Sequence, residues 1–366
     1  MTLPQGLLPA QAIRGFVADG AIAASAPIGE AEIQPASLDL RLGRFAWRVR
    51  ASFLPGRGGR VEEKIETLGM HRIDLTEGAV LERGCVYVAP LAERLRLPAD
   101  VEGVANPKSS SGRLDVFTRL IGDGAAEFDR VPAGYEGALY AEIAPRTFSV
   151  LAREGDRLNQ LRFRRGPSLR SDAELDRLHG QIRLVHGEGA ADIADGIAVT
   201  IDLEGPGGLG ETIGFRARKH AGLIDLRRIA HYDPLEFWEP IGRRTDRRLI
   251  LDPDDFYIMA SREAVTVPPD HAAEMFPYNP LVGEFRVHYA GFFDPGFGWA
   301  ETGGTGSRAV LEIRSHEVPF VMEHGQTVAR LVYERLAARP DKLYGAGIGS
   351  NYQAQGLKLS KQFKPL

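Results

Sequence analysis

Two stretches of the sequence decide the fold because they repeat each other. "VYVAPLAERLRLPAD" runs from Val86 to Asp100, and "FYIMASREAVTVPPD" runs from Phe256 to Asp270. When one is laid over the other, tyrosine, glutamate, proline and aspartate coincide at four positions, each pair 170 residues apart. Internal repeats fix the architecture before any motif is considered, so a duplicated chain should show the same spacing elsewhere.

The same spacing recurs further along the chain. "LYAEIAPRTFSVLAREGDRLNQL" lies over "VLEIRSHEVPFVMEHGQTVARL", with Glu142 on Glu312 and Gly155 on Gly325, again 170 residues apart. One constant spacing across two separated blocks predicts a duplicated domain. We expect an N-terminal domain at 1–165, a polar, helix-prone linker at 166–190 and a C-terminal domain at 191–366.

The apolar runs are short and indicate a mainly β fold. Many alternate with polar residues and are bounded by glycine or proline, of which the chain has 42 and 23. Such spacing is typical of a β-sandwich or barrel. We predict two tandem β-barrel or sandwich domains with few short helices, at Pro9 to Asp19 and Asp172 to Leu178. "QTVARLVYERL" fits a strand or a helix, because its apolar residues match both periods.

Composition excludes several classes of protein. With 366 residues and 43% apolar side chains, the chain can bury about two cores. Its formal net charge of -4 gives no global attraction to nucleic acid, and no apolar run is long enough to span a bilayer. Cys85 is the only cysteine, which excludes an internal disulfide or a thiolate-cluster metal site. We expect a cytoplasmic protein without a secretory signal.

Three consecutive serines distinguish the first copy. "NPKSSSGRLDVF", Asn106 to Phe117, sets them between Lys108 and Arg113. Exposed backbone N–H groups beside two cations suit phosphate oxygens. A serine-capped helix start with two solvated cations is the alternative. The second copy has "LVGEFR" instead, but it carries "FFDPGFGW", Phe292 to Trp299, where the first has the looser "EFDRVPAGYEG".

Taken in order, these segments resemble the deoxycytidine triphosphate deaminases, relatives of the trimeric deoxyuridine triphosphatases. The resemblance rests on "QPASLDLRLG" from Gln34 to Gly43, "LPADVEGVANPKSSSGR", "FFDPGFG", "AVLEI" and the tail "NYQAQGLKLS". It implies a deoxyuridine-triphosphatase-like β fold. It also implies that dCTP is hydrolysed to dUTP and ammonia, with Mg²⁺ carried on the triphosphate of the substrate.

The resemblance also implies site residues. The phosphate-binding cluster falls on Lys108, Ser109, Ser110 and Arg113, with lysine where the family usually has arginine. The base-reading and catalytic set, with the tail, falls on Asp294, Val310, Glu312, Tyr344, Tyr352 and Gln355. In the first copy, Asp129 and Glu142 are expected to correspond to Asp294 and Glu312.

The uneven distribution of these residues suggests a composite hypothesis. The first copy would supply the phosphate cluster and the second the base-reading and catalytic groups. In the rival hypothesis the whole site lies in the first copy, with Glu142 catalytic. In either case a glutamate amid apolar strand residues would move protons between water and the base. Ser109 is expected to position the water, and Arg113 to lie near the glutamate or the phosphates.

Other functions stay open at the level of sequence. A zinc mechanism needs a Pro-Cys-x-x-Cys motif that a chain with one cysteine lacks, so we expect no zinc. The enzyme could also hydrolyse dUTP to dUMP, with Asp294 or Asp129 activating water, or the fold could serve as a non-catalytic nucleotide sensor. A homo-oligomer, either dimer or trimer, is expected from the family, whereas nucleic acid and membranes are not expected as partners.

Overall fold

Strands dominate the computed structural model. It describes residues 4–166, 171–205, 210–277, 285–287, 291–302, 306–315, 317–345 and 356–366. The chain divides into two units. Unit 1 comprises Met1–Ser168, Gly222–Ile229 and Leu336–Asp341, and unit 2 comprises Leu169–Ala221, Ala230–Arg335 and Lys342–Leu366.

Unit 1 contains fourteen of the described strands and three helices. The strands are β1 Gly6–Leu7, β2 Ile22–Ala24, β3 Leu38–Arg41, β4 Phe45–Val49, β5 Gly69–Asp74, β6 Ala79–Leu81, β7 Val86–Arg96, β8 Val101–Pro107, β9 Val116–Gly122, β10 Arg130–Val131, β11 Glu136–Pro145, β12 Val150–Ala152, β13 Arg157–Arg165 and β17 Ile224–Asp225. The helices are α1 Ala10–Ala18, α2 Val61–Leu68 and α3 Ser109–Gly112.

Unit 2 contains the remaining described elements. Its strands are β14 Val185–His186, β15 Ile197–Thr200, β16 Thr212–Ala217, β18 Trp238–Gly242, β19 Arg248–Leu251, β20 Phe256–Val265, β21 His271–Pro277, β22 Phe285–Val287, β23 Phe292–Phe293, β24 Ser307–Ser315, β25 Phe320–Glu323 and β26 Thr327–Arg335. The helices are α4 Asp172–Gln181, α5 Pro234–Phe237 and a 3-10 turn at Ala300–Thr302.

Each unit is built on two larger sheets and one small one. In unit 1 the orders are β5-β4-β7-β11-β9, with β2 also on β7, and β1-β13-β8-β10, with β3 also on β13. In unit 2 they are β18-β16-β20-β24-β22, with β14 on β20, and β15-β26-β21-β23. The mainly β fold with few short helices is thereby confirmed, whereas closure of the sheets into a barrel stays a prediction.

The strand register shows the duplication directly. Tyr87 pairs with Ile143 in unit 1, and Tyr257 pairs with Ile313 in unit 2. On the other sheet Val101 pairs with Arg165 and His271 with Arg335. All four residues of each unit lie 170 positions from their counterparts. Because a slip of one residue would turn every side chain to the other face, the two copies keep one pattern of burial.

A buried glutamate on β7 and its counterpart on β20 keep the same backbone bond. Glu93 accepts the Arg41 N–H at 2.9 Å, and Glu263 accepts the Thr200 N–H at 2.8 Å. Burial raises the pKa of Glu93, and the Arg41 guanidinium offsets this through a 2.7 Å bond. This carboxylate therefore ties neighbouring strands together in both units.

The helices follow the sequence pattern in part. The predicted helix at Pro9 to Asp19 is α1, and the one at Asp172 to Leu178 is α4, which Ser171 caps by accepting the Glu174 N–H. "QTVARLVYERL" is mainly the strand β26. Leu175 and Leu178 of α4 are buried in the core of unit 2, so most of the segment expected to link the domains packs as part of that unit.

Two segments from the second half of the chain complete unit 1. Within unit 1, β17 pairs in parallel with β12, matching Ile224 to Val150. Arg153 holds Asp225 through two bonds of 2.7 and 3.0 Å, and Arg227 holds Asp156 at 2.6 Å. Residues Leu336–Asp341 also belong to this unit. Unit 1 is therefore discontinuous in sequence.

Helices of the described part of the chain fall short of what a bilayer crossing requires in length and apolar character.

Candidate active site

The lysine of the serine segment is held by an ion pair. Lys108 Nζ lies 2.5 Å from Asp39 Oδ1, and the Asp39 side chain is 2% exposed. Arg113 is buried as well, at 4% exposure. Two solvated cations are therefore not what the structure shows, because Lys108 is ion-paired with Asp39 and Arg113 is buried.

The serines begin the short helix α3. Lys108 precedes this helix and its side chain makes no capping hydrogen bond. Ser110 and Ser111 are buried, and the Ser111 hydroxyl donates to the Leu158 carbonyl at 3.1 Å. Ser111 thus fastens α3 to the start of β13, while Ser109 and Ser110 remain the predicted phosphate contacts.

Three adjacent strands bring two of the quoted motifs of the first copy together. Asp39 on β3 pairs with Gln160 on β13, which pairs with Asn106 on β8, and all three are buried. The Gln160 amide donates to the Pro107 carbonyl at 3.4 Å. "QPASLDLRLG" and "NPKSSSGR" are therefore neighbours in unit 1. In unit 2 the corresponding row is Ala198, Arg330 and Phe276, so it lacks the carboxylate that holds Lys108.

Glu142 of unit 1 is tied to an arginine that the sequence did not point to. It lies on β11 opposite Arg119 on β9, and Arg119 Nη2 and Nε contact its Oε1 at 2.6 and 3.1 Å. Arg119 also donates to the Ser52 hydroxyl and stacks over Phe128, 3.4 Å from the ring centre. Oε2 of this buried carboxylate has no hydrogen-bond partner among the described residues.

Asp129 occupies a strained loop position. Its φ of 62° is left-handed, and its Oδ1 accepts the Leu120 N–H at 2.7 Å. Removal from water raises the pKa of Asp129 from 3.8 to about 7, against the opposing effects of the Leu120 bond and nearby Arg119. Its carboxylate thus holds the loop against β9.

The expected equivalence between Asp129 and Asp294 is wrong. Leu97 donates to the Tyr135 carbonyl, and Val267, its counterpart, donates to the Phe297 carbonyl. Tyr135 and Phe297 are therefore equivalent residues. The Tyr135 N–H donates to the Pro132 carbonyl as the Phe297 N–H donates to the Asp294 carbonyl, so Pro132 occupies the position of Asp294. The loops before these turns differ in length in the two copies, so the spacing between equivalent residues changes from 170 to 162 positions. Asp129 as a substrate contact stays a prediction.

Unit 2 keeps both carboxylates. Asp294 follows β23 and is 8% exposed, and Glu312 on β24 is 4% exposed. Glu312 pairs with Ile258 and Val310 with Ala260, which places Val310 two residues away on the same face of the sheet. The predicted base-reading and catalytic residues of the second copy are therefore buried, on one strand and on the turn after another strand of the same unit.

Tyr344 is fastened to the Asp-Pro-Gly turn. Its N–H donates to the Pro295 carbonyl at 2.8 Å, and its ring centre lies 5.7 Å from that of Phe297. Gly296 has φ 97°, and a Cβ there would lie 2.7 Å from the Tyr344 carbonyl oxygen. The turn thus requires glycine and anchors the start of the tail. Tyr352 and Gln355 lie outside the described residues.

Sequence reasoning missed Asp39 and Arg119. Asp39 lies inside "QPASLDLRLG", one of the quoted motifs, and that position was the only signal available in the sequence. Arg119 had none, because the pairing of β9 with β11 alone brings it to Glu142. Across the described ranges, no three His, Cys, Asp or Glu side chains are grouped so that they could hold a metal ion.

Family models match nearly the whole chain. The model for the N-terminal domain of 2'-deoxycytidine 5'-triphosphate deaminase matches residues 4–167, and the model for the C-terminal domain matches residues 171–363. Two similar curated proteins carry the name "dCTP deaminase, dUMP-forming". The chain is 29% identical to the one from Beutenbergia cavernae over 152 residues and 30% identical to the one from Pseudarthrobacter chlorophenolicus over 151 residues. Each alignment covers 39% of this chain and 75% of the relative.

A solved structure is similar over almost the full length. The crystal structure of 2'-deoxycytidine 5'-triphosphate deaminase from Agrobacterium tumefaciens is 56% identical with a TM-score of 0.87, covering 91% of this chain and 99% of that one. This likeness extends over both units, whereas the two curated relatives match 39% of the chain. The chain therefore belongs to the 2'-deoxycytidine 5'-triphosphate deaminase family and is a hydrolase of that family.

Proposed function

We propose that the protein deaminates dCTP to dUTP and ammonia, with Mg²⁺ bound to the triphosphate as part of the substrate. One observation carries the assignment of roles. Unit 2 keeps both a turn aspartate, Asp294, and a strand glutamate, Glu312, in buried positions. Unit 1 has Pro132 at the turn, and its glutamate is bound by Arg119. The pair of carboxylates suited to the chemistry is therefore in unit 2.

Glu312 acts as the general acid and base. Attack of water on C4 of cytosine breaks the bond to the 4-amino group, and N3 must gain a proton as the carbon becomes tetrahedral. The carboxylate of Glu312 takes one proton from the water and passes it to N3. It then carries the proton of the new C4 hydroxyl to the amino group, so that the C4–N bond breaks, ammonia leaves and the C4 carbonyl of dUTP forms. This route uses no zinc, in keeping with a chain that has a single cysteine.

The remaining predicted residues bind the substrate. Asp294 and the backbone of Val310 hold the base and sugar, and Tyr344, Tyr352 and Gln355 cover the nucleotide from the tail. Lys108, Ser109, Ser110 and Arg113 bind the triphosphate, and Ser109 positions the water. The ion pair of Lys108 with Asp39 supports this role for the lysine, because it fixes the ammonium before substrate arrives.

A second candidate is that dUTP is hydrolysed further to dUMP and pyrophosphate. The names of the two curated relatives, both "dUMP-forming", favour it. This activity needs a carboxylate that activates water at the α-phosphate, for which Asp294 and Asp129 are the candidates.

The test is a product assay on the full chain. The protein is incubated with dCTP and Mg²⁺ while ammonia, dUTP, dUMP and pyrophosphate are followed together. We expect ammonia and dUTP in equal amounts. Pyrophosphate with dUMP would establish the second candidate, and nucleotide binding without any product would favour the sensor. A dimeric or trimeric assembly and a cytoplasmic location stay predictions, which sedimentation and cell fractionation would check.

A further inference from the structure

A cleft in unit 1 is not used by the proposed reaction. It lies between α2 and the sheet formed by β4, β5, β7 and β11, and its volume is about 510 Å³. Trp47, Ile65, Pro90 and Tyr140 line its interior, while Glu62 and Arg72 are among its polar residues. A cleft of this size can enclose a ligand as large as a nucleoside.

The cleft occupies a position that the duplication makes informative. Tyr140 lies 170 residues before Val310, and Tyr140 pairs with Pro90 as Val310 pairs with Ala260. Under the proposed function, Val310 contacts the base of the substrate. The cleft therefore lies at the place in unit 1 that corresponds to the base-reading strand position of unit 2. To this extent the inference rests on the proposed function.

The segment "FLPGRGGRVEEK", Phe53 to Lys64, forms part of the other wall of the cleft. It leads into α2, whose first N–H, on Val61, donates to Asp123 Oδ1 at 2.8 Å. Val61 and Ile65 are buried against the sheet, and Gly59 is obligatory because a Cβ there would lie 2.4 Å from the Pro55 carbonyl oxygen. The wall is thus fixed. The helix at the corresponding place in unit 2, α5, has only four residues.

The chemistry of the lining selects a ligand. Trp47, Pro90 and Ile65 offer flat apolar surfaces on which a planar ring can stack. Glu62 and Glu66 are carboxylates, which accept hydrogen bonds and cannot donate them. Burial and the neighbouring Glu62 raise the pKa of Tyr140, so its hydroxyl stays protonated. The carboxylates match an exocyclic amino group on such a ring, while the Tyr140 hydroxyl, His71 and Arg72 can serve other edges of the ligand.

We infer that this cleft binds a nucleoside or nucleotide whose base carries an exocyclic amino group, as cytosine and adenine do. Uracil presents a carbonyl oxygen where cytosine has its amino group, and that oxygen would face the carboxylates. The site therefore distinguishes the substrate of the proposed reaction from its product. Arg72 also lines the cleft and is placed to bind a phosphate group. Its guanidinium carbon lies 4.4 Å from the centre of the Phe45 ring.

The bound ligand is held without reaction. Trp47, Val88 and Glu142 form one row across β4, β7 and β11, next to the row of Pro90 and Tyr140. The carboxylate in this row is the one bound by Arg119, and Pro132 replaces the turn aspartate. Unit 1 thus binds an amino-bearing base without converting it.

Binding is tested on the full chain carrying Glu312→Gln, so that cytosine is not consumed. Deoxycytidine, deoxyadenosine and deoxyuridine are titrated by calorimetry, because nucleosides lack the triphosphate that the other site requires. We expect deoxycytidine or deoxyadenosine to bind at least about tenfold more tightly than deoxyuridine, and Trp47→Leu to weaken that binding by at least about tenfold. Glu63→Gln, on α2 but outside the cleft, is the matched control and should bind as the parent does.

Equal affinity for deoxycytidine and deoxyuridine, or binding indifferent to Trp47, would overturn the inference. If Trp47→Leu unfolds, Glu66→Lys, which replaces an exposed carboxylate of the lining, takes its place and should weaken the binding of deoxycytidine. The proposed function fails separately, if Glu312→Gln still releases ammonia from dCTP. In that case binding that depends on Trp47 would stand by itself as a nucleoside site.

Discussion

The strands β11 and β24 carry the same glutamate in two different environments. On β11, Arg119 binds one oxygen of Glu142 and the turn after β10 has Pro132. On β24, Glu312 is accompanied within its unit by Asp294, whose turn is fastened to Tyr344. Duplication therefore preserved the backbone register while the side chains diverged.

The two copies also separate structural residues from functional ones. Tyr87 and Tyr257 each accept a backbone N–H at the start of the same strand, at 2.9 and 3.0 Å, and both glutamates that follow keep their backbone bonds. Such features support the fold of either copy. Asp39 with Lys108 occurs only in unit 1, and Asp294 only in unit 2. Because the shared fold does not require them, the residues found in one copy only are candidates for substrate binding.

The largest effect on activity is expected when each of the two glutamates is replaced by glutamine in a separate variant. Glu312→Gln should lower kcat for ammonia release by about 10²- to 10⁴-fold, because proton transfer by a placed carboxylate contributes that much. Glu142→Gln should retain activity of the parent's order. The opposite pattern, with Glu142→Gln inactive and Glu312→Gln normal, would move the reaction to unit 1 and break the comparison.

The next effect is on stability and concerns Arg119. Arg119→Met leaves the buried carboxylate of Glu142 without its cation, which typically lowers the free energy of unfolding by roughly 3–5 kcal/mol. Urea denaturation would measure this loss. The double variant Arg119→Met with Glu142→Leu should recover most of the loss. Arg44→Met removes an exposed ion pair with Asp74 and should cost much less than Arg119→Met. Equal losses for Arg119 and Arg44 would show that Glu142 does not need its partner.

A smaller effect follows from the raised pKa of Asp129. Since the folded chain holds this proton up to about pH 7 and the unfolded chain releases it near 3.8, its contribution to stability is full below that lower value. It declines as pH rises from about 4 to 7. Asp129→Asn should remove this decline, on the order of 2 kcal/mol for a half-buried group. Parallel urea titrations at pH 5 and pH 8 check it, and an unchanged difference between the two pH values would contradict it.

The smallest effect compares the two turn glycines. Gly134 and Gly296 both have positive φ, so alanine costs about 1 kcal/mol at either position. At Gly296 the new Cβ would also meet the Tyr344 carbonyl, whereas at Gly134 the nearest atom, Ala99 Cα, is 3.4 Å away. Gly296→Ala should therefore raise KM for dCTP several-fold and Gly134→Ala should not. Equal KM values for the two variants would show that the tail does not take part in substrate binding.

Much of the fold could be predicted because repetition and alternation are written locally in the sequence. The 170-residue spacing predicted the duplication, which the strand pairs Tyr87–Ile143 and Tyr257–Ile313 display. The helix α2 was not predicted, since its approach through "GRGG" is typical of a loop and its apolar face has only Val61 and Ile65.

The site was harder to predict because its contacts cross between strands. The pairing of Arg119 with Glu142 and of Lys108 with Asp39 depends on register, which no short motif records. The mistaken match of Asp129 to Asp294 arose in the same way. Chemical similarity in sequence suggested it, and only the hydrogen bonds of Tyr135 and Phe297 show where each turn begins.

The discontinuity of unit 1 has a consequence for synthesis on the ribosome. Its strand β17 is translated after the first segment of unit 2, Leu169–Ala221, and the segment Leu336–Asp341 is translated after most of that unit. Domains usually fold in the order in which they emerge, the N-terminal one first. Here the first unit can close only when nearly the last part of the chain has left the exit tunnel. The N-terminal half is therefore synthesised well before all of its packing partners are available.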